Sequence, residues 1–253
     1  SANSRYHALQ LSLNQKSRFG LTIDAYYTLA NGMQYGGADS TLTRDNTVQD
    51  YANVAGSYGP KSSDVRHRFI GNVTWRVPLG YDGRYLKNGV TGQVLGGWGV
   101  NAIVQAQGGF PLSITAVSNG LQGLAFVGGN AAVGILRPNL IGDPVIADAS
   151  QRKATLQWFN TAAFQVPGQY TFGNAPRTFG NLRGPGYFGT NLSLQRNFKL
   201  TEATRLQFRA EAFNLFNRTN FTTPAAILGA ANFGRLTTAE DARQMQFALK
   251  LHF

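Results

Sequence analysis

The chain has 253 residues and no cysteine, which excludes a disulfide scaffold and thiolate metal sites. Hydrophobic residues make up 43% of it, yet no run approaches the ~18 apolar residues that a transmembrane helix requires. The net charge of +11 is typical of nucleic-acid binding, but the basic residues are scattered and match no nucleic-acid motif. We therefore expect no nucleic-acid partner.

Seven segments alternate apolar and polar residues with a period of two, which predicts β-strands with one apolar and one polar face. In chain order they are Ala8–Leu13, Phe19–Leu29, Arg66–Leu79, Trp98–Phe110, Asn191–Phe198, Arg205–Ala212 and Ala242–Phe253. Arg196 falls on the apolar parity near the end of the fifth segment, where a long cation can reach a membrane interface. Strands of about ten residues with this pattern suit a β-barrel that crosses a membrane.

The connections between these segments run short, long, medium, very long, short and long. If the chain ends on the periplasmic side, the short and medium connections all fall there and the long ones fall outside, as in bacterial outer-membrane barrels. A soluble β-sandwich has no reason to sort its loops in this way. The sequence therefore predicts an all-β fold, an antiparallel transmembrane β-barrel with long extracellular loops, in the outer membrane.

Seven is an odd number of strands, whereas single-chain bacterial barrels have an even number. We therefore expect residues 1–253 to form the C-terminal portion of a larger barrel, with further strands and any plug upstream of Ser1.

Six further features follow one another in a fixed order and resemble the C-terminal barrel region of TonB-dependent receptor-like proteins, the Oar-like group. They are DVRHRFIGNVTWRVPLG at Asp64–Gly80, GGWGVNAIVQAQGGFPLSI at Gly96–Ile114, RPNLIGDP at Arg137–Pro144, WFNTAAF at Trp158–Phe164, FGNAPRTFGNLRGPGY at Phe172–Tyr187 and LQFRAEAFNLFNRTNF at Leu206–Phe221. The aromatic residue Phe253 at the end of the chain completes the set.

This resemblance implies a barrel of about twenty-two strands around a plug. It also implies a TonB-type energy-coupling partner that contacts a region upstream of this chain. The last strand would act as an assembly signal for the barrel-assembly machinery. Its apolar residues in that role are Phe247, Leu249, Leu251 and Phe253.

The polar faces of the predicted strands carry charges that would point into the barrel lumen. The candidates are Arg68, Arg76, Arg205, Arg209, Glu211 and Lys250. Arg209 and Glu211 lie two residues apart on one face, so they can pair along the strand. Lumen charges commonly satisfy one another or a plug, and a substrate role is the alternative.

Arg66, His67 and Arg68 precede the apolar part of the third segment and suggest either an anion site or the rim of a strand in the outer leaflet. At such a rim, cations would meet outer-membrane lipid and the phosphates of lipopolysaccharide.

Aromatic residues cluster in the longest loop, Ser113–Gly186, which carries no convincing period. Exposed loop aromatics are reasonable ligand contacts, and the candidates are Trp158, Phe159, Phe164 and Tyr170. Packing of the loop on itself over the barrel mouth is the alternative. Asn31–Val65, Ser113–Gly186 and Asn217–Asp241 are the loops that would carry specificity.

Enzyme chemistry finds little support, and we expect no cofactor. The three histidines, His7, His67 and His252, lack metal-binding spacing, and no nucleophile elbow or paired carboxylates are recognisable. Three functions therefore stand: a receptor that binds and imports a ligand, a surface adhesion or structural barrel without transport, and a soluble β-sandwich binding module.

Overall fold

The computed structural model describes residues 3–35, 49–80, 83–116, 136–201 and 204–253. Seven long strands dominate it, each with the period-two alternation that lets one face stay apolar. They are β1 (Ser4–Lys16), β2 (Leu21–Gln34), β4 (His67–Arg76), β5 (Trp98–Gln107), β9 (Tyr187–Lys199), β10 (Arg205–Phe213) and β12 (Gln244–His252). All seven segments predicted from the alternation are confirmed as strands.

The remaining elements are short and lie in the connections. The two-residue strands are β3 (Gly59–Pro60), β6 (Thr115–Ala116), β7 (Asn139–Leu140), β8 (Phe164–Gln165) and β11 (Ile227–Leu228). The helices are α1 (Gly89–Leu95), α2 (Ala149–Thr155) and two 3-10 turns, Tyr51–Ser57 and Thr161–Ala163. Asp148 caps the N-terminus of α2, where its carboxylate accepts a hydrogen bond from the Ser150 N–H at 2.8 Å. This N–H has no acceptor within the helix.

The long strands form one antiparallel sheet in which each pairs with the next in the order β1-β2-β4-β5-β9-β10-β12, and β3 extends the pairing of β2. The predicted antiparallel all-β architecture is therefore confirmed. β1 and β12 are the two edges of this sheet, so the described strands do not close on themselves. The expectation that further strands and a plug precede Ser1 stays a prediction.

The register keeps the two faces of the sheet chemically distinct across the six strands from β2 to β12. One row across the apolar face reads Ile23, Val73, Ala102, Leu192, Ala212 and Met245. The neighbouring row across the polar face reads Thr22, Thr74, Asn101, Ser193, Glu211 and Gln246. Because a slip of one residue would exchange the faces, this agreement shows that the alternation specifies the register.

The apolar face is not covered by protein in the described parts of the chain. Leu11 is 56% exposed and Leu249 is 69% exposed, and the other sheets there contain only two-residue strands. A β-sandwich would bury this face against a second sheet. The soluble-sandwich alternative is therefore wrong for this fold.

The connections sort by length between the two ends of the sheet. Residues 17–20, 77–97 and 200–204 connect strands at one end, here called the turn end. Residues 35–66, 108–186 and 214–243 connect strands at the other, here called the loop end. The predicted alternation of short and long connections is confirmed, and the long ones meet at the same end.

Candidate functional site

The long connections fold together at the loop end into a packed unit, here called the loop cap. It comprises the described residues of 49–66, 108–116, 136–186 and 214–243. Its buried core comes from one of the three connections, residues 108–186, and consists of Leu112, Ile114, Phe159, Ala163, Phe164, Ala175, Phe179 and Leu182. Phe233, from the third connection, packs against this core. The loop cap is thus held by apolar burial as a small soluble domain is.

Aromatic rings meet edge to face inside the loop cap. The Phe159 ring lies 5.7 Å from that of Phe164 and 5.1 Å from that of Phe233, centroid to centroid, with interplanar angles of 77° and 73°. Phe164 also meets Phe179 at 5.9 Å and 85°. Edge-to-face pairs add roughly 0.5–1.5 kcal/mol to the burial of their area. These contacts fix residues 136–186 against residues 214–243.

A buried ion pair joins the loop cap to the sheet. The Asp64 carboxylate accepts hydrogen bonds from Arg183 Nη2 at 2.6 Å and from the Gly32 N–H in β2 at 2.7 Å. Arg183 Nη1 donates to the carbonyl of Asp64 at 2.9 Å and to that of Gly109, just beyond β5, at 3.3 Å. Because Asp64 is buried, these partners satisfy a charge that would otherwise be costly. The pair links the ends of β2 and β5 to the longest loop.

Two further buried arginines bind residues 49–60 to the longest loop through backbone carbonyls. Arg177 Nε donates to Ser57 at 3.1 Å and Nη2 donates to Pro60 at 2.9 Å. Arg137 Nη1 donates to Gly56 at 2.8 Å. Burial lowers the pKa of Arg137, and the nearby Arg177 charge lowers it further, whereas the Asp50 carboxylate raises it. The positive charges of these two buried arginines are thus satisfied by neutral backbone carbonyls.

The polar face carries a second candidate site, a concavity of about 570 Å³ near the turn end. Arg76, Arg209 and Glu211 line it together with amide and hydroxyl side chains such as Gln195 and Ser193. Arg209 Nη1 lies 3.6 Å from Glu211 Oε1, so the predicted pairing along the strand is confirmed. Gln246 Nε2 also donates to Glu211.

Aromatic residues and one cation gather on the apolar face at the turn end. Trp98 and Phe198 flank Arg196, whose guanidinium carbon lies 5.3 Å and 4.2 Å from their ring centroids. Trp75 Nε1 donates to the Phe19 carbonyl at 3.3 Å. Indole rings with a hydrogen-bonded N–H and an apolar body favour a membrane–water interface. The predicted position of Arg196 at the end of its strand, on the apolar face, is confirmed.

A family model described as an outer membrane beta barrel domain matches residues 1–246. The chain belongs to this family. No curated protein matches it, and no solved structure does. Family membership locates the barrel in the bacterial outer membrane, and it explains why the apolar face of the sheet is left open: that face meets lipid. The match supports the barrel and carries nothing specific to TonB-dependent receptors.

In this outer membrane barrel the predicted loop contacts separate into core and surface residues. Phe159 is fully buried and Phe164 nearly so, which favours the alternative of a loop packed on itself for these two. Trp158 is half-buried and donates from Nε1 to the Arg183 carbonyl at 2.6 Å, so it too supports the loop cap. Tyr170, 61% exposed, remains a predicted ligand contact.

The predicted lumen charges all lie on the polar face of the barrel strands. Register pairs set Arg68 beside Gln107, Arg76 beside Gly99, Arg209 beside Gln195, and Lys250 beside Gln207. Arg205 pairs with Lys199 and His252, at the turn end. Their role toward a substrate stays a prediction.

The predicted assembly residues lie on the apolar face of the edge strand β12. Phe247 pairs with Ala210, Leu249 with Phe208, and Leu251 with Leu206. Phe253 follows the strand and is 99% exposed. Their reading by the barrel-assembly machinery stays a prediction.

Sequence reasoning did not single out Asp64, Arg137, Arg177 and Arg183, although these residues hold the loop cap in place. All four lie in the segments that carry the family resemblance, Asp64–Gly80, Arg137–Pro144 and Phe172–Tyr187. A charged residue in a Gly- and Pro-rich loop was the available signal. The partners lie far away in the chain, 119 residues for Asp64 and Arg183, so the pairing could not be predicted from the sequence.

Within the described ranges, no three His, Cys, Asp or Glu side chains come together as metal ligands. None of the helices described there is long and apolar enough to span a membrane.

Proposed function

We propose that this chain is the barrel portion of a TonB-dependent receptor-like protein that binds a ligand and takes it up across the outer membrane. The loop cap binds a ligand too scarce or too large for porins, and the polar face of the sheet lines its passage. The observation that carries the proposal is the loop cap itself, because three long connections at one end of the sheet fold into a single unit.

The architecture of the loop cap supports recognition at the extracellular side. A barrel that served only as a membrane anchor would need no more than turns at both ends, as the short connections 17–20 and 200–204 show. Long ordered loops on a rigid scaffold are where proteins place binding residues. Tyr170 offers an exposed aromatic surface on this unit, and Trp158 an indole that is only half-buried.

The polar face supports passage of a polar solute. Its concavity near the turn end combines two guanidinium groups with one carboxylate and several amides, so it offers both donors and acceptors. Arg209 is about half exposed beside Glu211, and its remaining N–H groups can still be reached from the lumen. Pores select their solutes by such lining groups.

Energy for import would come from a TonB-type partner that contacts a region outside this chain, as the resemblance of the loop and strand motifs implies. The second candidate function is a surface adhesion barrel that translocates nothing. The rigid attachment of the loop cap through Asp64 and Arg183 favours it, because a fixed cap displays a surface without opening a path.

An uptake assay separates the two functions. Cells with and without the protein are given a panel of labelled solutes above the size limit of porins, before and after a protonophore collapses the proton gradient. Transport predicts protein-dependent accumulation that the protonophore abolishes while surface binding persists. Adhesion predicts binding to surfaces or cells that the protonophore leaves unchanged, and no accumulation.

Two variants localise the effect. Tyr170→Ala in the loop cap is expected to reduce uptake, whereas Tyr85→Ala, which removes an exposed aromatic at the turn end, serves as the matched control. Energy-independent accumulation of every solute would contradict the transport proposal, because it would indicate an open pore.

A further inference from the structure

A groove of about 450 Å³ lies on the apolar face of the sheet at the loop end. Its floor is a row set by the strand register, in which Tyr27 pairs with Phe69, Phe69 with Ala106, and Ala106 with Phe188. The small Ala106 side chain between two phenyl rings makes the depression. Because this row belongs to the lipid-facing side of the barrel, the groove opens toward the membrane and not toward the lumen.

A cation is held at the loop-end margin of this groove. The guanidinium carbon of Arg218 lies 5.2 Å from the ring centroid of Phe188. Asn214 fixes the Arg218 backbone: its Oδ1 accepts from the Arg218 N–H at 3.0 Å and its Nδ2 donates to the Arg218 carbonyl at 2.9 Å. The side chain of Arg218 is exposed, so its planar face rests on the ring while its N–H groups remain accessible.

The backbone of Phe188, whose ring lies beneath this cation, is held as well. Asn220, which is buried, accepts from the Phe188 N–H at 3.0 Å and donates to the Phe188 carbonyl at 2.9 Å. Both members of the cation–ring pair are therefore positioned by an asparagine from the same connection. The site is partly prearranged, since the backbones of both residues are held before anything binds.

A second donor faces the groove from β4. The Tyr27 hydroxyl and His67 Nδ1 lie 2.8 Å apart. When the hydroxyl donates to Nδ1, the imidazole proton lies on Nε2, where it can be donated to an anion. Arg68, the next residue, lies on the polar face of the sheet, and no carboxylate lines the groove in the described part of the chain. Arg218 is therefore the charged group at the margin of the groove, and the strand row below it is apolar.

We propose that this groove binds a phosphate group of an outer-leaflet lipid, the phosphorylated disaccharide of lipid A, with an acyl chain lying along the apolar face. Arg218 donates to the phosphate oxygens in a forked geometry and His67 Nε2 donates a further hydrogen bond. The loop end of an outer membrane barrel faces the outer leaflet, so Arg218 and His67 lie at the level of its headgroups. This inference rests on the family and the sheet register and is independent of the transport proposal.

The test uses the protein extracted from outer membranes in detergent and titrated with diphosphoryl lipid A, with bound lipid counted by native mass spectrometry. We expect one tightly bound lipid A, and we expect Arg218→Gln to weaken its binding by about tenfold, as the loss of a charge-assisted contact does. His67→Gln should weaken it less. Arg218→Lys, which keeps the charge without the planar fork, should lie between the wild type and Arg218→Gln.

Arg196→Gln is the matched control, because Arg196 also stacks on aromatic rings of the apolar face but lies at the turn end. It should leave lipid A binding unchanged. An equal loss in this variant would overturn the proposal, because it would show general attraction to a basic barrel. Equal affinity for lipid A without its phosphates would also overturn it.

Inorganic phosphate distinguishes a lipid site from a free-anion site. Millimolar phosphate that displaces lipid A from the wild type would overturn the lipid assignment. If Arg218→Gln fails to give a folded barrel, judged by heat-modifiable migration in gels, the His67→Gln titration decides, and unchanged binding there counts against the site.

Discussion

The loop cap and the sheet are built by the same chain for two different solvents. In the loop cap Phe159 and Ile114 are fully buried, and the charged groups inside it are matched by carbonyls and by Asp64. In the sheet Leu249 is 69% exposed and its neighbours on the same face are open as well. Apolar burial holds the loop cap together in water, whereas the apolar face of the sheet is satisfied only when lipid covers it.

Exposure of an apolar side chain therefore has opposite meanings in the two regions. An exposed leucine in β12 lies on a surface that lipid covers, whereas exposure of a core ring such as Phe159 would mean that the loop cap had opened. Substitutions should therefore destabilise the loop cap by reducing apolar burial and the sheet by disturbing its contact with lipid. The two regions should lose structure separately.

Removal of a core ring should have the largest effect. Phe159→Ala leaves a cavity at the centre of the loop cap and should cost it about 3–5 kcal/mol. Hydrogen exchange of residues 136–186 should accelerate while β2, β4 and β5 stay protected. Tyr170→Ala, an aromatic truncation on the surface, should change stability by no more than about 0.5 kcal/mol. Loss of protection in the sheet as well would show that the two regions unfold together.

Loss of the buried ion pair should come next. Asp64→Ala leaves Arg183 without its carboxylate and the Gly32 N–H without an acceptor, at a cost of about 3 kcal/mol. Limited proteolysis of residues 49–66 measures the opening. In the Asp64→Ala background, Arg183→Met should lower the stability of the loop cap by less than it does in the wild type. The guanidinium that it removes has already lost its carboxylate partner in that background. Strict additivity of the two changes would contradict a direct interaction.

A charge on the lipid-facing side of the sheet should cost a comparable or smaller amount. Leu249→Arg lies near the middle of β12 and should destabilise the barrel by about 2–4 kcal/mol if this position is near the bilayer midplane. Urea unfolding in lipid vesicles, followed by tryptophan fluorescence, measures it. Gln246→Arg, on the polar face opposite Glu211, is the control and should be tolerated. Equal losses of stability in the two variants would mean that both faces of the sheet contact the same solvent.

The smallest effect should come from the exposed pair on the polar face. A double-mutant cycle of Arg209→Ala and Glu211→Ala should give a coupling energy of about 0.2–1 kcal/mol, because water screens the pair. Added salt should reduce it further. A coupling well above this range would show that the lumen near Glu211 excludes water.

The sheet was predictable from the sequence because its determinants are local. Alternation in each strand, such as Phe19 to Leu29, fixes which face is apolar, and the connection lengths fix which end is which. The position of Arg196 followed from the same parity. These features require no knowledge of what lies elsewhere in the chain.

The loop cap was not predictable in the same way. Its core residues Leu112, Phe159 and Phe179 follow no period, since irregular backbone places side chains inward at uneven intervals. Its polar contacts join residues such as Asp64 and Arg183, which are 119 positions apart. The sequence therefore indicated that aromatic residues gather in this loop without showing that Phe159 and Phe164 face its interior.

The bonds of Asp64 have a consequence for how the strands find one another. One carboxylate reaches the end of β2 through Gly32, while its arginine partner reaches the residue Gly109 beyond β5. A sheet whose strands had slipped by one step would carry Gly32 and Gly109 to positions that Asp64 and Arg183 cannot reach together. The ion pair can therefore form with all its hydrogen bonds only when β2 and β5 are in the correct register. Attachment of the loop cap thus depends on correct pairing of the strands below it.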